Sequence, residues 1–221
     1  MSSVNTVIFD FDGTLVDSFG LSVRLSNMLA PQYGYKTVTD TEVPRLKKLS
    51  APELFRYLEF PLYKLPVVLA KARNEMSKEI EAIQLFDGII HMLERLRAAG
   101  IHLGIVTSNS RSNVQSCLVT NGVLEKFDFV HAAKNLFGKH RTLKRLMKKM
   151  NLSNDSVIYV GDEGRDIEAS KKVNIPVVAV TWGYQDRERL SKMSPDFLAD
   201  IPADIEKFVL SYFKKDSSKS N

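Results

Sequence analysis

Two carboxylates that could do chemistry lie near the start of the chain, in the segment Asp10-Phe11-Asp12-Gly13-Thr14. They follow an apolar run, residues 6–9, which is typical of a buried strand that ends at a turn. Two acidic side chains on such a turn repel each other and lose hydration unless a cation or a proton lies between them. The segment therefore predicts a site that binds a cation or moves protons.

The same segment has two simpler interpretations. Aspartate favours turns, and Gly13 can adopt backbone angles that are closed to other residues, so the turn could be purely structural. A calcium-binding EF-hand loop would need acidic ligands at alternate positions and a closing glutamate, between two helices. That pattern does not occur here. The choice between structure and chemistry depends on the elements around the segment.

Strand and helix patterns alternate along the chain from Asp87 onward. The longer predicted strands are residues 101–106, 127–130, 157–160 and 175–180, with helices between them. This alternation predicts an α/β fold with a parallel sheet covered by helices on both faces. Ligands bind such sheets beyond the carboxyl ends of the strands. Three pairs of residues lie at such ends: Asp10 and Asp12, Thr107 and Ser108, and Gly161 and Asp162.

Residues 17–83 show helical patterns and no convincing strand. The first predicted helix runs towards Ala30, with Pro31 beyond it, and another runs from about residue 66 to residue 81. We predict that residues 17–83 form a small helical domain inserted into the sheet domain. The sheet domain then comprises residues 1–16 and 84–215, and residues 216–221 form a disordered tail.

The composition is that of an ordinary globular protein, with 221 residues of which 44% are hydrophobic and 26% are charged. Lys and Arg number 31 against 26 Asp and Glu, a net charge of +5 that favours anionic ligands. The basic stretches lack interleaved aromatic residues, so no nucleic-acid partner is predicted. The sequence does not fix the oligomeric state.

The single cysteine, Cys117, cannot form an intramolecular disulfide, which suits a reducing compartment. It lies in a helical apolar pattern and is predicted to be a buried thiol. No secretory signal is visible, and no apolar run approaches the roughly 20 residues that span a bilayer. We therefore expect a soluble, cytoplasmic protein without a membrane partner.

Four motifs occur in a fixed order: residues 10–18, Thr107 after an apolar strand, Lys139 at the start of a helix, and residues 161–166. In this ordered set the chain resembles the haloacid dehalogenase superfamily of phosphohydrolases, and within it the phosphoglycolate phosphatases. The resemblance implies a Rossmann-like catalytic core, and it identifies residues 17–83 with the helical cap domain of the family.

The resemblance also implies roles for the acidic residues. Asp10 would attack phosphorus and form an aspartyl-phosphate, while Asp12 would act as general acid and then as general base. Mg²⁺ would be bound by the carboxylates of Asp10 and Asp162 and by the backbone carbonyl of Asp12. Hard oxygen ligands without a His or Cys cluster agree with that metal.

The remaining candidate residues surround these carboxylates. By the resemblance, Thr107, Ser108 and Lys139 would bind the phosphate. Asp166 would orient Lys139 or a water on the metal, and Glu163 would either reach the metal through water or face solvent. His140 follows Lys139 where family members usually have proline.

The function predicted from the sequence is Mg²⁺-dependent hydrolysis of a small phosphorylated metabolite, a phosphate monoester. A sugar phosphomutase that uses the same pair, Asp10 and Asp12, is one alternative. A protein that senses phosphate or binds a partner without turnover is another, although such a protein has no need of an acid–base residue at position 12.

Overall fold

The computed structural model of the protein describes residues 4–133 and 138–217. Six strands form one parallel sheet in the order β3-β2-β1-β4-β5-β6. This architecture confirms the predicted α/β class with a Rossmann-like core. The strands are β1 (Thr6–Phe9), β2 (His102–Thr107), β3 (Phe129–Ala132), β4 (Val157–Gly161), β5 (Val177–Val180) and β6 (Phe197–Ala199).

Ten α-helices accompany the sheet within the described residues. None of them is long and apolar enough to cross a lipid bilayer. They are α1 (Phe19–Tyr33), α2 (Val43–Leu46), α3 (Ala51–Tyr57), α4 (Leu65–Met76), α5 (Ile89–Ala98), α6 (Arg111–Thr120), α7 (Lys139–Met150), α8 (Gly164–Lys171), α9 (Arg187–Ser191) and α10 (Pro202–Ser217).

Hydrophobic clusters cover both faces of the sheet, as the apolar runs of its strands predict. Val7 and Phe9 point to one face, where they join residues of α5, α6 and α10. Ile8 points to the other face and packs with residues of α7, α8 and α9. Cys117 of α6 is fully buried in the first cluster, which confirms its predicted environment.

The strand order reverses at β1, which pairs with β2 on one side and with β4 on the other. In the register of these pairs, Phe9 lies opposite both Ile105 and Val160. The chain therefore leaves β1, β2 and β4 along one edge of the sheet. A reversal of strand order opens a crevice at that edge, where open α/β sheets bind their ligands.

Helices α1 to α4 form a helical segment, residues 19–82, between β1 and α5. Its two connections to the core run side by side: the Asp17 N–H donates to Gln84 O (3.0 Å), and the Phe86 N–H donates to Leu15 O (3.1 Å). The segment has a small hydrophobic cluster of its own, built on Leu29, Ala30, Tyr35 and Val68.

Several predicted boundaries were wrong by a few residues. Helix α1 includes Pro31 in its last turn and ends at Tyr33, and the positive φ of 75° at the following Gly34 gives the left-handed stop. Strand β3 begins at Phe129, because the Asp128 carboxylate instead accepts the Leu103 N–H at 2.8 Å. Helix α10 runs into the predicted tail as far as Ser217, and residues 218–221 lie outside the described residues.

Candidate active site

The turn after β1 is a tight backbone structure that aims two carboxylates into the crevice. The carbonyl of Phe11 accepts N–H groups from three following residues, at 3.0 to 3.3 Å, and so closes the turn on itself. Gly13, in the middle, has a φ of 74°, which residues with a side chain rarely adopt. The Asp10 side chain, only 2% exposed, accepts the Phe11 N–H on Oδ1 at 2.8 Å.

A buried lysine links two of the acidic residues. Lys139, the first residue of α7, is 3% exposed, and its Nζ donates to Asp10 Oδ2 at 2.7 Å and to Asp166 Oδ1. Burial alone would lower the pKa of Lys139, but the two carboxylates reverse the effect and raise it. Lys139 is therefore a permanent cation in the crevice, although its position at the start of a helix is unfavourable for a positive charge.

Asp162 follows β4 and is completely buried. Its Oδ1 accepts the hydroxyl of Thr14 at 2.9 Å, and its Oδ2 accepts the Tyr184 N–H at 2.7 Å. A Cβ atom added to Gly13 or to Gly183 would lie within 2.4 Å of Asp162 Oδ2. Two glycines thus let two loops close on one carboxylate, which holds Asp162 in a single orientation.

Three of these carboxylates form a cluster that fits a divalent cation. Asp10, Asp162 and Asp166 each offer a carboxylate oxygen, and the three oxygens lie within 4.8 Å of one another. Burial raises the pKa of Asp10, although the charge of Lys139 opposes it, and burial together with the charges of Glu163 and Asp166 holds the pKa of Asp162 well above its ordinary value. With all three carboxylates ionised against one lysine, the cluster would carry a net charge of −2. All-oxygen donors with that charge suit Mg²⁺.

Asp12 is held differently from the other carboxylates. Its Oδ2 accepts an N–H of the Asn109 side chain at 3.0 Å, while its Oδ1 is buried without a hydrogen-bond partner. Burial, with the nearby charge of Asp10, raises the pKa of Asp12 from 3.8 to about 6. A carboxyl group with this pKa can both hold and release a proton near neutral pH.

Thr107 and Ser108 lie at the end of β2, beside the turn after β1. The Thr107 side chain is completely buried, and its Oγ1 accepts the Asn109 N–H at 3.0 Å. The hydroxyl hydrogen of Thr107 therefore stays available for an acceptor such as a phosphate oxygen. Ser108 is half-buried and lines the cavity described below.

Glu163 and Arg165 form an ion pair next to the carboxylate cluster. The Arg165 Nε donates to Glu163 Oε2 at 2.5 Å, and Arg165 Nη1 is buried without a partner. The Glu163 N–H donates to Asp166 Oδ2 at 3.1 Å, so this backbone helps to hold Asp166 in place. Both side chains of the pair line the cavity, and Glu163 lies outside the three-carboxylate cluster.

A cavity of about 280 Å³ opens above these residues. Asp12, Ser108 and Asn109 form part of its lower wall, together with the Glu163–Arg165 pair. The rest of its wall comes mainly from the helical segment. The active-site crevice and the helical segment thus line one partly open cavity.

The helical segment contacts the core on two sides of this cavity. On one side, Lys47 Nζ donates to Gly183 O (2.8 Å) and Gln185 Nε2 donates to Leu49 O (2.7 Å). On the other side, the Asn113 side chain donates to the Arg73 carbonyl at 3.0 Å. Hydrogen bonds on two sides of the cavity therefore hold the segment over the crevice.

The structure brings most of the residues singled out from the sequence into one place. Sequence reasoning assigned Asp166 to the surroundings of the metal, whereas its carboxylate lies within the cluster itself. It assigned no role to Asn109, Thr14 or Tyr184, which orient Asp12 and Asp162. Asn109 could have been found, since it lies two residues beyond the end of β2.

Comparisons with known proteins agree with this site. The family model described as haloacid dehalogenase-like hydrolase matches residues 7–180. A phosphoglycolate phosphatase of Synechococcus elongatus is 35% identical over 202 residues, which cover 91% of this chain and 95% of that protein. A phosphoglycolate phosphatase of Xanthomonas campestris is 31% identical over 90% of this chain and 93% of its own length.

The fold has a counterpart among solved structures as well. The crystal structure of a predicted phosphatase from Clostridium acetobutylicum superposes with a TM-score of 0.81 and 24% identity, covering 95% of this chain and all of that one. At this level of identity the likeness shows the fold alone. The family model, which matches most of the chain, and the relatives above 30% identity go further: the chain belongs to the haloacid dehalogenase-like hydrolases.

Proposed function

We propose that this hydrolase is a Mg²⁺-dependent phosphatase of small phosphate monoesters that works through an aspartyl-phosphate on Asp10. The observation that carries the proposal is the pairing of two unlike carboxylates on one turn. Asp10 is fixed by Lys139 within a cluster that suits a divalent cation, whereas Asp12 has a pKa of about 6. The relatives named phosphoglycolate phosphatase support the same class of reaction.

In the proposed reaction, Asp10 forms a bond to phosphorus while the bond from phosphorus to the alcohol oxygen breaks. Asp12 gives its proton to the departing oxygen, and afterwards takes a proton from the water that hydrolyses the aspartyl-phosphate. Bound by the carboxylates of Asp10 and Asp162 and the backbone carbonyl of Asp12, with Asp166 beside it, Mg²⁺ would neutralise charge on the phosphate. Thr107 and Lys139 would donate hydrogen bonds to phosphate oxygens, and Ser108 would contribute its backbone N–H.

We propose further that the helical segment is the cap domain, with hinges at residues 15–18 and 83–88. The paired connections of Asp17 with Gln84 and of Leu15 with Phe86 support this, because bending at one place would move the whole segment. The domain limits 17–83 and a cytoplasmic location stay predictions.

The test is phosphate release from a panel of monoesters, with Mg²⁺ and with EDTA, in wild type, Asp10→Asn and Asp12→Asn. We expect Asp12→Asn to lower kcat on the order of 10²- to 10⁴-fold, Asp10→Asn to lower it at least as much, and EDTA to abolish turnover. Asp155→Asn, an exposed position at the other end of β4, is the matched control.

Unchanged turnover in Asp10→Asn would exclude the covalent mechanism. Conversion of a sugar bisphosphate to its isomer faster than phosphate is released would favour the mutase alternative instead.

A further inference from the structure

The wall of the 280 Å³ cavity becomes less polar with distance from the carboxylates. Its lower part is polar and includes Asp12, Ser108 and Asn109. Its upper part lies between α1, α3 and α4 and is mainly aliphatic and aromatic, with Leu25, Leu29, Leu54, Phe55, Val68 and Met76 among its residues. An ester whose phosphate lies at Asp10 would therefore direct its alcohol part into an apolar space.

Polar groups in the upper part are largely engaged with the protein. The hydroxyl of Tyr184 is hydrogen-bonded to that of Ser22, and the hydroxyl of Tyr35 donates to the Ser26 carbonyl at 2.8 Å. Among the described residues that line the cavity, the cationic side chains are Arg73 and Arg165. Arg165 is paired with Glu163, although its Nη1 is buried without a partner, and both arginines lie at the border of the apolar wall rather than within it.

We propose that the preferred substrates are phosphate monoesters of apolar alcohols, alkyl or aryl, whose hydrocarbon part fills this upper cavity. The inference rests on the proposed phosphatase function and specifies its substrate class. The two-carbon acid of phosphoglycolate would stay beside the polar lower wall and leave the upper cavity unfilled, whereas a polar group pushed against the apolar wall would lose hydration. A hydrocarbon chain loses nothing there and gains from leaving water.

The volume is consistent with a group of several carbon atoms. One water molecule takes about 30 Å³ in the liquid, and a methylene group is of similar size. A cavity of about 280 Å³ therefore has room for more than a two-carbon acid beyond the phosphate. Enclosure on two sides limits the substrate to a small molecule.

A chain-length series tests the proposal: kcat/KM is measured with Mg²⁺ for methyl, butyl, hexyl and phenyl phosphate, and for phosphoglycolate. Burying a methylene group is worth about a fourfold gain, so we expect kcat/KM to rise at least roughly 100-fold from methyl to hexyl phosphate. Phosphoglycolate should lie at least tenfold below hexyl phosphate. A flat series, or phosphoglycolate as the best substrate, would overturn the proposal and leave the phosphatase function standing.

Two variants of helix α4 test whether the hydrocarbon part of the substrate binds in this cavity. Ala72 of α4 lines the cavity, whereas Ala70, two residues earlier, is exposed on the outer face. Ala72→Phe should reduce kcat/KM for hexyl phosphate at least tenfold more than for methyl phosphate, and Ala70→Phe should leave both unchanged. Equal losses for both esters in Ala72→Phe would contradict binding of the chain in this cavity.

Binding of hexylphosphonate, which cannot be hydrolysed at its P–C bond by this route, separates the two proposals. Calorimetry in Mg²⁺ should give a dissociation constant at least 100-fold lower for hexylphosphonate than for methylphosphonate. If this difference is found but no monoester is hydrolysed, the ligand class holds and the phosphatase function fails. If the two phosphonates bind equally, the ligand class is wrong whatever the activity.

Discussion

At the scale of single residues, Asp12 and Asp10 show how one turn gives two carboxylates different properties. Both oxygens of Asp10 have a donor, the Phe11 N–H and the ammonium of Lys139. Asp12 accepts from the Asn109 side chain on Oδ2, while its Oδ1 is buried without a partner. Because unpaired burial disfavours the charged form, it raises the pKa of Asp12 to about 6. That asymmetry matches the separate roles proposed for the two residues.

The raised pKa of Asp12 predicts a pH-dependent stability in the metal-free protein. Below pH 3.8 the group is protonated whether the chain is folded or unfolded, and it costs nothing. As the pH rises through about 6, the folded protein must hold a buried charge, and stability is lost. A shift from 3.8 to about 6 corresponds to about 3 kcal/mol at most.

Asp12→Asn removes this cost. In EDTA at pH 7.5 we therefore expect its free energy of unfolding in urea to exceed that of wild type by about 1–3 kcal/mol. The difference should vanish by about pH 4. The exposed variant Asp155→Asn should show no such trend, and a difference for Asp12→Asn that does not vary with pH would show that burial of charge is not its cause.

At the scale of elements, three loops meet at Asp162. The turn after β1 contributes Thr14, the β4–α8 loop contributes Asp162 itself, and the loop after β5 contributes Gly183 and Tyr184. A Cβ on Gly183 would lie 2.4 Å from Gly13 O, a backbone atom that cannot rotate away. The close approach of these loops therefore depends on glycine at this position.

Gly183→Ala is expected to separate the loops and to break the hydrogen bond from Tyr184 N–H to Asp162. Activity should fall at least tenfold, with a higher Mg²⁺ concentration needed for half-maximal rate, because Asp162 loses its fixed orientation. Gly20→Ala on α1 is the matched control, since its Cβ would meet only the end of Arg24 at 4.0 Å. It should be neutral or stabilise by about 0.5–1 kcal/mol. Equal activity in the two variants would contradict the role given to Gly183.

The elements also show what the sequence could predict. Apolar strands that end at Asp10, Thr107 and Asp162 were enough to predict a parallel sheet with the site at one edge, because strand ends of such a sheet share that edge. The contact of Asp12 with Asn109 joins loops 97 residues apart. This contact depends on the relative orientation of the two turns. The spacing of hydrophobic residues in the sequence does not encode that orientation. The extent of α1 past Pro31 was missed because proline usually ends a helix, whereas α1 contains Pro31 in its last turn before Gly34.

At the scale of the whole molecule, the helical segment closes the site by polar contacts on two sides. Asn109 donates to both Asp12 and the sulfur of Met76 in α4, so one side chain touches both the acid–base residue and the segment above it. On the opposite side, Gln185 accepts the Gly164 N–H and donates to Leu49 O, each at 2.7 Å. The position of the segment is thus coupled to the loops that build the carboxylate cluster.

Gln185, which is 7% exposed, should therefore control how firmly the cavity is closed. Loss of its buried hydrogen bonds is worth about 1–3 kcal/mol, so Gln185→Ala should shift the balance towards an open segment by roughly 5- to 150-fold. Amide hydrogen exchange at residues 43–49 should accelerate accordingly, and a dye that binds exposed apolar surface should fluoresce more. Lys48→Ala removes an exposed ion pair with Glu188, which contributes little, and serves as control. Unchanged exchange in Gln185→Ala would mean that Gln185 does not control closure of the cavity.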